Sequence, residues 1–295
     1  LRDVYKRQVY AFSGEAVELL SAARKMGLWT AVDQVIAPRA IVDQLGYEEE
    51  LLNPGWQLPL ESDGYSEAFA ERERVEWQLA DVVVCPSPFV ARHVVEEGCA
   101  PEKIVVVPTG VDTRFQVERK PRAPGKLHVL TVGAVGLRKG SPYVGGVSRL
   151  LAGEVEFRMV GPLELLPEAQ KKLAASVELT GPIPRSEMRK QFEWADVFLL
   201  PSLCEGSAIS VYEALAAGLP VICTENTGSV VRNGIDGYIV PIRDVMETTE
   251  ILRELAGNPA ALERMGESAR ERAADFTLSR YGERLTSAIF REKAA

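Results

Sequence analysis

Histidine and cysteine are scarce in this 295-residue sequence, and long apolar runs are missing. Only two histidines and four cysteines occur, with no C-x-x-C pair and no histidine at metal-ligand spacing, which excludes the common cysteine-based metal sites. The apolar runs are strand-sized, too short for a transmembrane helix, and no signal-peptide pattern is present. We therefore expect a cytoplasmic protein whose cysteines are reduced and packed as small apolar residues, namely Cys85, Cys99, Cys204 and Cys223.

An excess of basic residues is also missing. The chain has 34 Lys and Arg against 42 Asp and Glu, a net charge of −8, so no nucleic-acid partner is expected. Hydrophobic residues make up 46% and charged residues 26%, as in ordinary soluble globular proteins. The length is sufficient for two ordinary domains.

Strand-sized apolar segments alternate with amphipathic segments of helical period along most of the chain. This alternation predicts an α/β fold in which parallel sheets carry helices on both faces. The predicted strands are 9–12, 29–33, 81–85, 104–107, 127–132, 155–160, 177–179, 196–200, 221–223 and 238–240. The predicted helices cover 13–26, 38–51, 66–80, 185–195, 245–274 and 278–293, and others begin after Ser87, Gly140 and Ser207. Two such halves joined near Val111 predict two Rossmann-like domains with a cleft between them.

Two local details of the first half carry specific predictions. Ser13 precedes the first helix and is a plausible N-cap, because its hydroxyl can accept a hydrogen bond from a free N–H group of the first turn. The charged run 71–74, ERER, is typical of a solvated helix face with ion pairs along the helix.

Glu205 and Glu213 lie on either side of a predicted helix start. The first follows a predicted buried strand, and the carboxyl ends of strands are where open α/β sheets bind ligands. If the helix begins near Ser207 or Ala208, Glu213 lies roughly 8 Å along its axis. Between the two carboxylates stands Gly206, a residue type that permits close approach of a ligand to the backbone.

The helix start itself predicts an anion site, because free N–H groups and the positive end of the helix dipole point the same way. The order of carboxylate, anion site and carboxylate matches the hydroxyls, diphosphate and hydroxyls of a nucleotide diphosphate sugar. On spacing alone, two exposed glutamates at a helix start explain the pattern more simply. The N–H groups concerned are those of Ser207, Ala208, Ile209 and Ser210.

Arg138 and Lys139 follow one predicted strand and precede a helix. In the usual doubly wound strand order, this loop lies level with the glutamate pair. Fixed cations there can bind a diphosphate, the arginine as a two-pronged donor and the lysine as a point charge.

Four segments together resemble family 4 of the retaining glycosyltransferases, which are two-domain enzymes of the GT-B fold. Segment 195–222, which contains both glutamates, is similar to the donor-site signature of that family. Segment 107–115, VPTGVDTRF, is similar to its interdomain PNGVD…F segment, with Thr109 where Asn is usual. Segment 132–140 is similar to its basic phosphate loop, and segment 233–241 to its late turn and strand. The resemblance covers roughly residues 75 to 290 in order and spacing.

The resemblance implies roles at a donor site. One carboxylate orients the donor sugar, the other binds the ribose hydroxyls, the cations hold the diphosphate, and segment 181–184 lies where the family contacts the base. The implied catalytic residues are Glu205, Arg138 and Lys139. The implied donor-binding residues are Glu213, Gly206, Ser207, Ala208, Ile209, Ser210, Gly133 and Ile183.

The resemblance also implies whether a metal ion is needed and which residues face the acceptor. No D-x-D motif occurs, so we expect no metal and no cofactor, with the nucleotide sugar as co-substrate. The family often places a histidine on the amino-terminal side of the cleft, but His93 and His128 fall inside a predicted helix and strand and are expected to be structural. Ser13 and Gly14 are the nearest substitutes on the acceptor side. The acceptor is a glycan, lipid or small molecule, and weak peripheral contact with a membrane stays open.

The predicted organisation has three parts. Residues 1–111 form an acceptor-side domain, 112–277 form the nucleotide-sugar domain, and 278–295 form a terminal helix that packs back toward the first domain. The chain begins without Met, and a charged octapeptide, Leu1–Gln8, precedes the first predicted strand, so we expect an amino-terminally truncated member.

The predicted function is transfer of a sugar from a nucleotide diphosphate sugar with retention of configuration. Two alternatives stay open: a nucleotide-sugar-binding protein without transferase activity, and another GT-B enzyme such as an epimerase or a phosphorylase. A nicotinamide dehydrogenase is disfavoured, because segment 133–136, GAVG, does not begin a G-x-G-x-x-G motif.

Overall fold

A computed structural model describes residues 8–59, 64–117 and 125–290. Two sheets built only of parallel pairs confirm the predicted α/β class. The strands are β1 (Gln8–Phe12), β2 (Trp29–Asp33), β3 (Val82–Cys85), β4 (Ile104–Val106), β5 (Leu127–Val132), β6 (Val155–Val160), β7 (Glu178–Leu179), β8 (Val197–Leu200), β9 (Val221–Thr224) and β10 (Gly237–Val240).

The helices are α1 (Val17–Lys25), α2 (Arg39–Leu52), α3 (Gly64–Leu79), α4 (Pro88–Glu96), α5 (Ser141–Leu150), α6 (Pro167–Ala174), α7 (Met188–Trp194), α8 (Ile209–Ala216), α9 (Val245–Ala256), α10 (Pro259–Ala274) and α11 (Leu278–Ile289). The sequence prediction omitted α6. The predicted end of the last helix, at Lys293, lies outside the described residues, as do the first seven residues of the predicted octapeptide.

The first sheet has the order β1-β2-β3-β4 and the second the order β10-β9-β8-β5-β6-β7. The second is the doubly wound order, in which the chain runs outward in one direction from β5 and in the other from β8. Its two faces carry separate apolar cores. The strand order therefore reverses between β5 and β8, and this point positions the candidate site.

Two local predictions for the first domain are wrong. Helix α1 begins at Val17 with Ala16 at the N-cap position and no side-chain cap, and Glu76 accepts the N–H groups of Gly14 and Ala16, just before the helix, at 2.7 Å each. Ser13 is therefore not the cap. Glu73, predicted as part of a solvated face, is 2% exposed and accepts hydrogen bonds from Gln34 and from the backbone N–H of Arg39.

The last helix packs against the first sheet. Val84 and Val107 share an apolar cluster with Ala288, and Tyr281 packs against that cluster. At the crossing between the domains, the Val111 N–H donates to the Phe276 carbonyl at 2.7 Å. The end of the chain thus ties the two domains together.

A second connection runs from α2 into the second domain. Trp56, in the turn after α2, is 6% exposed within the apolar core of the second sheet. Glu49 on α2 is fully buried, and its two carboxylate oxygens share the hydrogen of the Tyr143 hydroxyl, at 2.7 and 2.9 Å, while one of them also accepts from Arg243. Within the described residues, no helix is long and apolar enough to cross a membrane.

Candidate functional site

The loops that follow β5 and β8 meet at the point where the strand order reverses. Strands β5 and β8 are hydrogen-bonded neighbours, with Val129 opposite Val197. Arg138 and Lys139 lie on the first loop and Glu205 on the second, so the strand order brings together the residues that the sequence analysis paired. This is the position at which doubly wound sheets bind ligands.

Both cations contact one carboxylate oxygen. Glu205 Oε1 lies 2.6 Å from Arg138 Nη1 and 2.7 Å from Lys139 Nζ. Glu205 is 8% exposed and the Lys139 side chain 11%, whereas the Arg138 side chain is 44% exposed. A buried carboxylate needs such partners. Because two cations share one carboxylate, the cluster keeps one net positive charge and can attract an anion.

Glycines shape the loop after β5 that carries Arg138 and Lys139, which we call the basic loop. Gly140 has φ +74°, and a Cβ there would lie 2.2 Å from the Pro201 carbonyl oxygen, so the loop packs backbone against backbone on the neighbouring strand end. Gly133 leaves room for the aliphatic part of Lys139. A Cβ on Gly133 would lie 2.9 Å from Lys139 Cε. The Gly133 N–H donates to the Val160 carbonyl and is not available to a ligand.

Helix α8 begins at Ile209, slightly later than predicted, and this changes which N–H groups are free. The Ala208 N–H donates to the Thr227 carbonyl at 3.2 Å, so the prediction that it is free is wrong. Within the described residues, the N–H groups of Ile209 and Ser210 have no partner and point out of the helix start. The Ser207 hydroxyl contacts the Tyr212 hydroxyl and the Gly228 carbonyl.

The backbone at Gly206 is closely approached, as predicted, but the group that approaches it belongs to the protein. A Cβ on Gly206 would lie 1.9 Å from the Val35 carbonyl oxygen of the first domain. The Gly206 carbonyl also accepts the Ser87 hydroxyl at 2.6 Å. Protein therefore occupies the space at the missing Cβ, and Gly206 is a contact between the domains.

Glu213 lies in α8 and is 5% exposed. Burial raises the pKa of its carboxyl, and Arg185, whose Nη2 lies 2.9 Å from Oε1, lowers it in part. Arg185 is exposed and lies over the Phe115 ring, 5.0 Å from its centroid. The sequence analysis missed Arg185, although it directly follows segment 181–184. Ile183 in that segment packs, partly buried, against the core on this face of the sheet.

The predicted acceptor-side residues have structural partners. The Ser13 N–H donates to the Asp33 carbonyl at 3.0 Å. The Gly14 N–H donates to Glu76, and a Cβ at Gly14 would lie 2.2 Å from Phe69. Gly14 is therefore fixed by packing inside the first domain.

The histidines and the cysteine nearest the site also have structural surroundings. His93 lies 2.7 Å from Glu96 within α4, and His128 stacks on Trp194 at 4.6 Å between ring centroids. Cys204 is buried, and burial raises the pKa of its thiol to about 12. A thiol with that pKa stays protonated and is a poor nucleophile.

A cavity of about 290 Å³ opens between α2 and the basic loop. Its walls include Arg39, Glu49 and Gln57 from the first domain, and Arg138 and Glu164 from the second. Arg138 thus faces both Glu205 and the space between the domains. The arrangement can hold an anion at the basic loop and present it to a molecule bound between the domains.

Solved structures define the class to which this fold belongs. The chain is similar to Anabaena HepE in complex with UDP, with a TM-score of 0.70 and 14% identity over 97% of this chain and 80% of that one. It is also similar to sucrose-phosphate synthase from Thermosynechococcus elongatus, with a TM-score of 0.74 and 17% identity over 95% and 72% of the two chains. The fold is that of the GT-B glycosyltransferases.

Sequence comparison narrows the class to a family. Residues 56–115 match the family described as Glycosyltransferase Family 4, and residues 126–258 match that described as Glycosyl transferases group 1. The chain belongs to family 4 of the glycosyltransferases, as its resemblance predicted.

Curated relatives carry specific names. A colanic acid biosynthesis glycosyltransferase of Salmonella typhimurium, WcaL, which is named as putative, is 33% identical over 72% of this chain and 57% of its own length. An MMP alpha-(1->4)-mannosyltransferase of Mycolicibacterium hassiacum is 28% identical over 75% and 56%. The chain spans about half the length of the curated relatives it matches.

Proposed function

We propose that this chain carries the donor site of a glycosyltransferase, which transfers a sugar from a nucleotide diphosphate sugar to a glycan, lipid or small-molecule acceptor. The observation that carries the proposal is the cluster of Arg138, Lys139 and Glu205 beside the start of α8. Family membership and the names of the relatives support it.

The diphosphate lies against the basic loop and the helix start. Arg138 and Lys139 supply the positive charge, and the N–H groups of Ile209 and Ser210 donate hydrogen bonds. Negative charge grows on the diphosphate as the bond to the sugar breaks, so these preorganised groups stabilise the transition state more than the ground state. They supply the charge that a divalent ion would provide, and the proposed reaction is metal-independent.

The two glutamates hold the two ends of the donor. Glu205 contacts both cations through Oε1, so Oε2 can accept a hydrogen bond from a sugar hydroxyl. Glu213 contacts Arg185 through Oε1, and its Oε2 can accept from a ribose hydroxyl. Arg185, exposed beside Glu213, adds a cation near the nucleoside.

The proposed reaction retains configuration at the sugar carbon. The diphosphate departs from the face at which the acceptor hydroxyl attacks, and the leaving phosphate oxygen takes the proton of that hydroxyl. The bond from carbon to the acceptor oxygen forms as the bond to the phosphate oxygen breaks. Analysis of the product anomer by NMR tests this step, and an inverted product would contradict it.

Replacement of Glu213 tests the donor site. Glu213→Ala removes the proposed ribose contact, and we expect at least about a tenfold loss in donor affinity or turnover, as for loss of a hydrogen bond to a charged group. Glu193→Ala, at an exposed helix position, is the matched control and keeps wild-type kinetics. Circular dichroism establishes that each variant is folded. Unchanged kinetics in folded Glu213→Ala would contradict the proposal, and donor binding without transfer would favour a binding protein.

A further inference from the structure

The basic loop depends on a residue of the other domain. The Leu137 N–H, adjacent in sequence to Arg138, donates to Gln57 Oε1 at 2.6 Å, across 80 residues of chain. Leu137 is 6% exposed, and within the described residues Gln57 is the partner of this N–H group. Loss of that acceptor leaves a buried donor unsatisfied or forces the loop to move.

The flanking parts of the loop are fixed by the second domain itself. The Val135 N–H donates to the Pro162 carbonyl at 2.7 Å, and the Glu164 N–H donates back to the Val135 carbonyl at 3.0 Å. On the other side, the Leu203 N–H donates to the Arg138 carbonyl at 2.9 Å. Between these anchors the Gly136 and Leu137 carbonyls accept the N–H groups of Ser141 and Gly140, at 3.2 and 2.8 Å, whereas the Leu137 N–H donates to Gln57.

Gln57 is itself held firmly against the second domain. Its neighbour Trp56 lies inside the second-domain core, and the Trp56 carbonyl accepts the Leu166 N–H at 2.8 Å. Gly136 leaves the space that the Gln57 amide occupies, because a Cβ there would lie 3.2 Å from Gln57 Nε2 and 3.0 Å from Glu164 Oε2. The amide therefore packs against Gly136 while its oxygen accepts the Leu137 N–H.

We infer that Gln57 is a positioning residue of the donor site, which acts through Arg138 by fixing the backbone that carries it. This inference rests on the proposed function. It makes the site composite: the second domain supplies the cations, and the first domain sets the position of Arg138. A first domain that moves away would release Leu137 and loosen the grip on the diphosphate.

A double-mutant cycle separates positioning from simple stability. The probe is the nucleoside diphosphate (UDP, GDP or ADP) that binds wild-type protein most tightly, with affinity measured by calorimetry. Gln57→Met keeps the size of the side chain but removes the acceptor, and we expect about a fivefold loss of affinity. In the Arg138→Ala background the same change has no further effect, because Gln57 acts through Arg138. Additive losses, or no loss in Gln57→Met, would overturn the inference.

Two further variants make the result decisive. Gly136→Ala places a methyl group against the Gln57 amide, and we expect it to lower affinity. This variant keeps the inference testable if Gln57→Met does not fold. Tyr143→Phe removes a different hydrogen bond between the domains, that to Glu49, and leaves affinity unchanged. Equal losses in Tyr143→Phe and Gln57→Met would show a general effect of domain contact and overturn the inference. Wild-type protein that binds none of the three nucleotides overturns the proposed function, and the inference with it.

Discussion

At the scale of single residues, the site depends on carboxylates that are buried and still partnered. Glu205 is held by two cations, whereas Glu213 has one exposed arginine as its partner. A single exposed cation offsets burial only in part, so the pKa of Glu213 stays raised.

The raised pKa of Glu213 predicts a pH-dependent cost to stability. Its pKa lies above the ordinary 4.5 in the folded protein, so its contribution to stability is complete below that value and is lost as pH rises through the folded pKa. Glu213→Gln stays neutral and lacks this loss. We expect the variant to gain stability relative to wild type at pH 8 compared with pH 4, as measured by urea unfolding. If the free energies of unfolding of variant and wild type differed by the same amount at pH 4 and pH 8, this explanation would be contradicted.

The buried thiols predict resistance to alkylation. Burial raises the pKa of Cys204 and Cys223 to about 12 and that of Cys99 to about 11. We expect iodoacetamide at pH 8 to modify the native protein at less than about a hundredth of the rate seen in 6 M guanidinium, as followed by mass spectrometry. Rapid modification of Cys204 in native protein would show that the thiol is exposed and reactive.

At the scale of elements, periodicity predicted most strands and helices. The cations Arg138 and Lys139 and the carboxylate Glu205 marked the loops after β5 and β8 as a candidate site. The contact that fixes the turn before α1 could not be predicted, because the carboxylate that supplies it, Glu76, lies some sixty residues away. The same limit applies to Gly206, whose neighbour Val35 belongs to the other domain. Strand order required only the usual doubly wound topology, so the meeting of Arg138 with Glu205 was predictable.

The turn at Gly140 predicts a strong effect of a single methyl group. Gly140→Ala places a Cβ 2.2 Å from the Pro201 carbonyl oxygen at φ +74°, and we expect a loss of at least about 2 kcal/mol in the free energy of unfolding. Gly153→Ala is the matched control, because Gly153 has φ +87° but open space around its Cβ position. Thermal unfolding compares the two, and equal losses would show that the contact with Pro201 is unimportant.

At the scale of the whole molecule, the terminal helix and the contacts of α2 are among the connections between the domains, and sequence reasoning predicted the terminal helix but not the contacts of α2. The contact of Glu49 with Arg243 spans 194 residues, and no local pattern marks either partner. Arg243 adopts φ +69°, a conformation costly for a residue other than glycine, and its contacts with Glu48 and Glu49 offset that cost. Long-range contacts of this kind decide how the two walls of the cleft face each other.

The insertion of Trp56 into the second-domain core predicts cooperative unfolding of both domains. Trp56→Ala empties this position, and we expect a loss of about 3–5 kcal/mol and separation of one thermal transition into two. Tyr47→Ala, on the exposed face of α2, is the matched control and keeps a single transition near the wild-type temperature. Scanning calorimetry makes the comparison, and a single, slightly shifted transition in Trp56→Ala would contradict the coupling.

The basic loop and the start of α8 are proposed to hold the diphosphate of a nucleotide sugar. Calorimetric titration of the wild type and of an Arg138→Gln, Lys139→Gln double variant, each with nucleoside and with nucleoside diphosphate, tests this proposal. We expect the wild type to bind the nucleoside diphosphate at least about tenfold more tightly than the nucleoside, because charged hydrogen bonds are worth about 1.5–3 kcal/mol each, and the folded double variant to lose this preference. Equal binding of both compounds by the wild type, or an undiminished preference in the double variant, would contradict the claim.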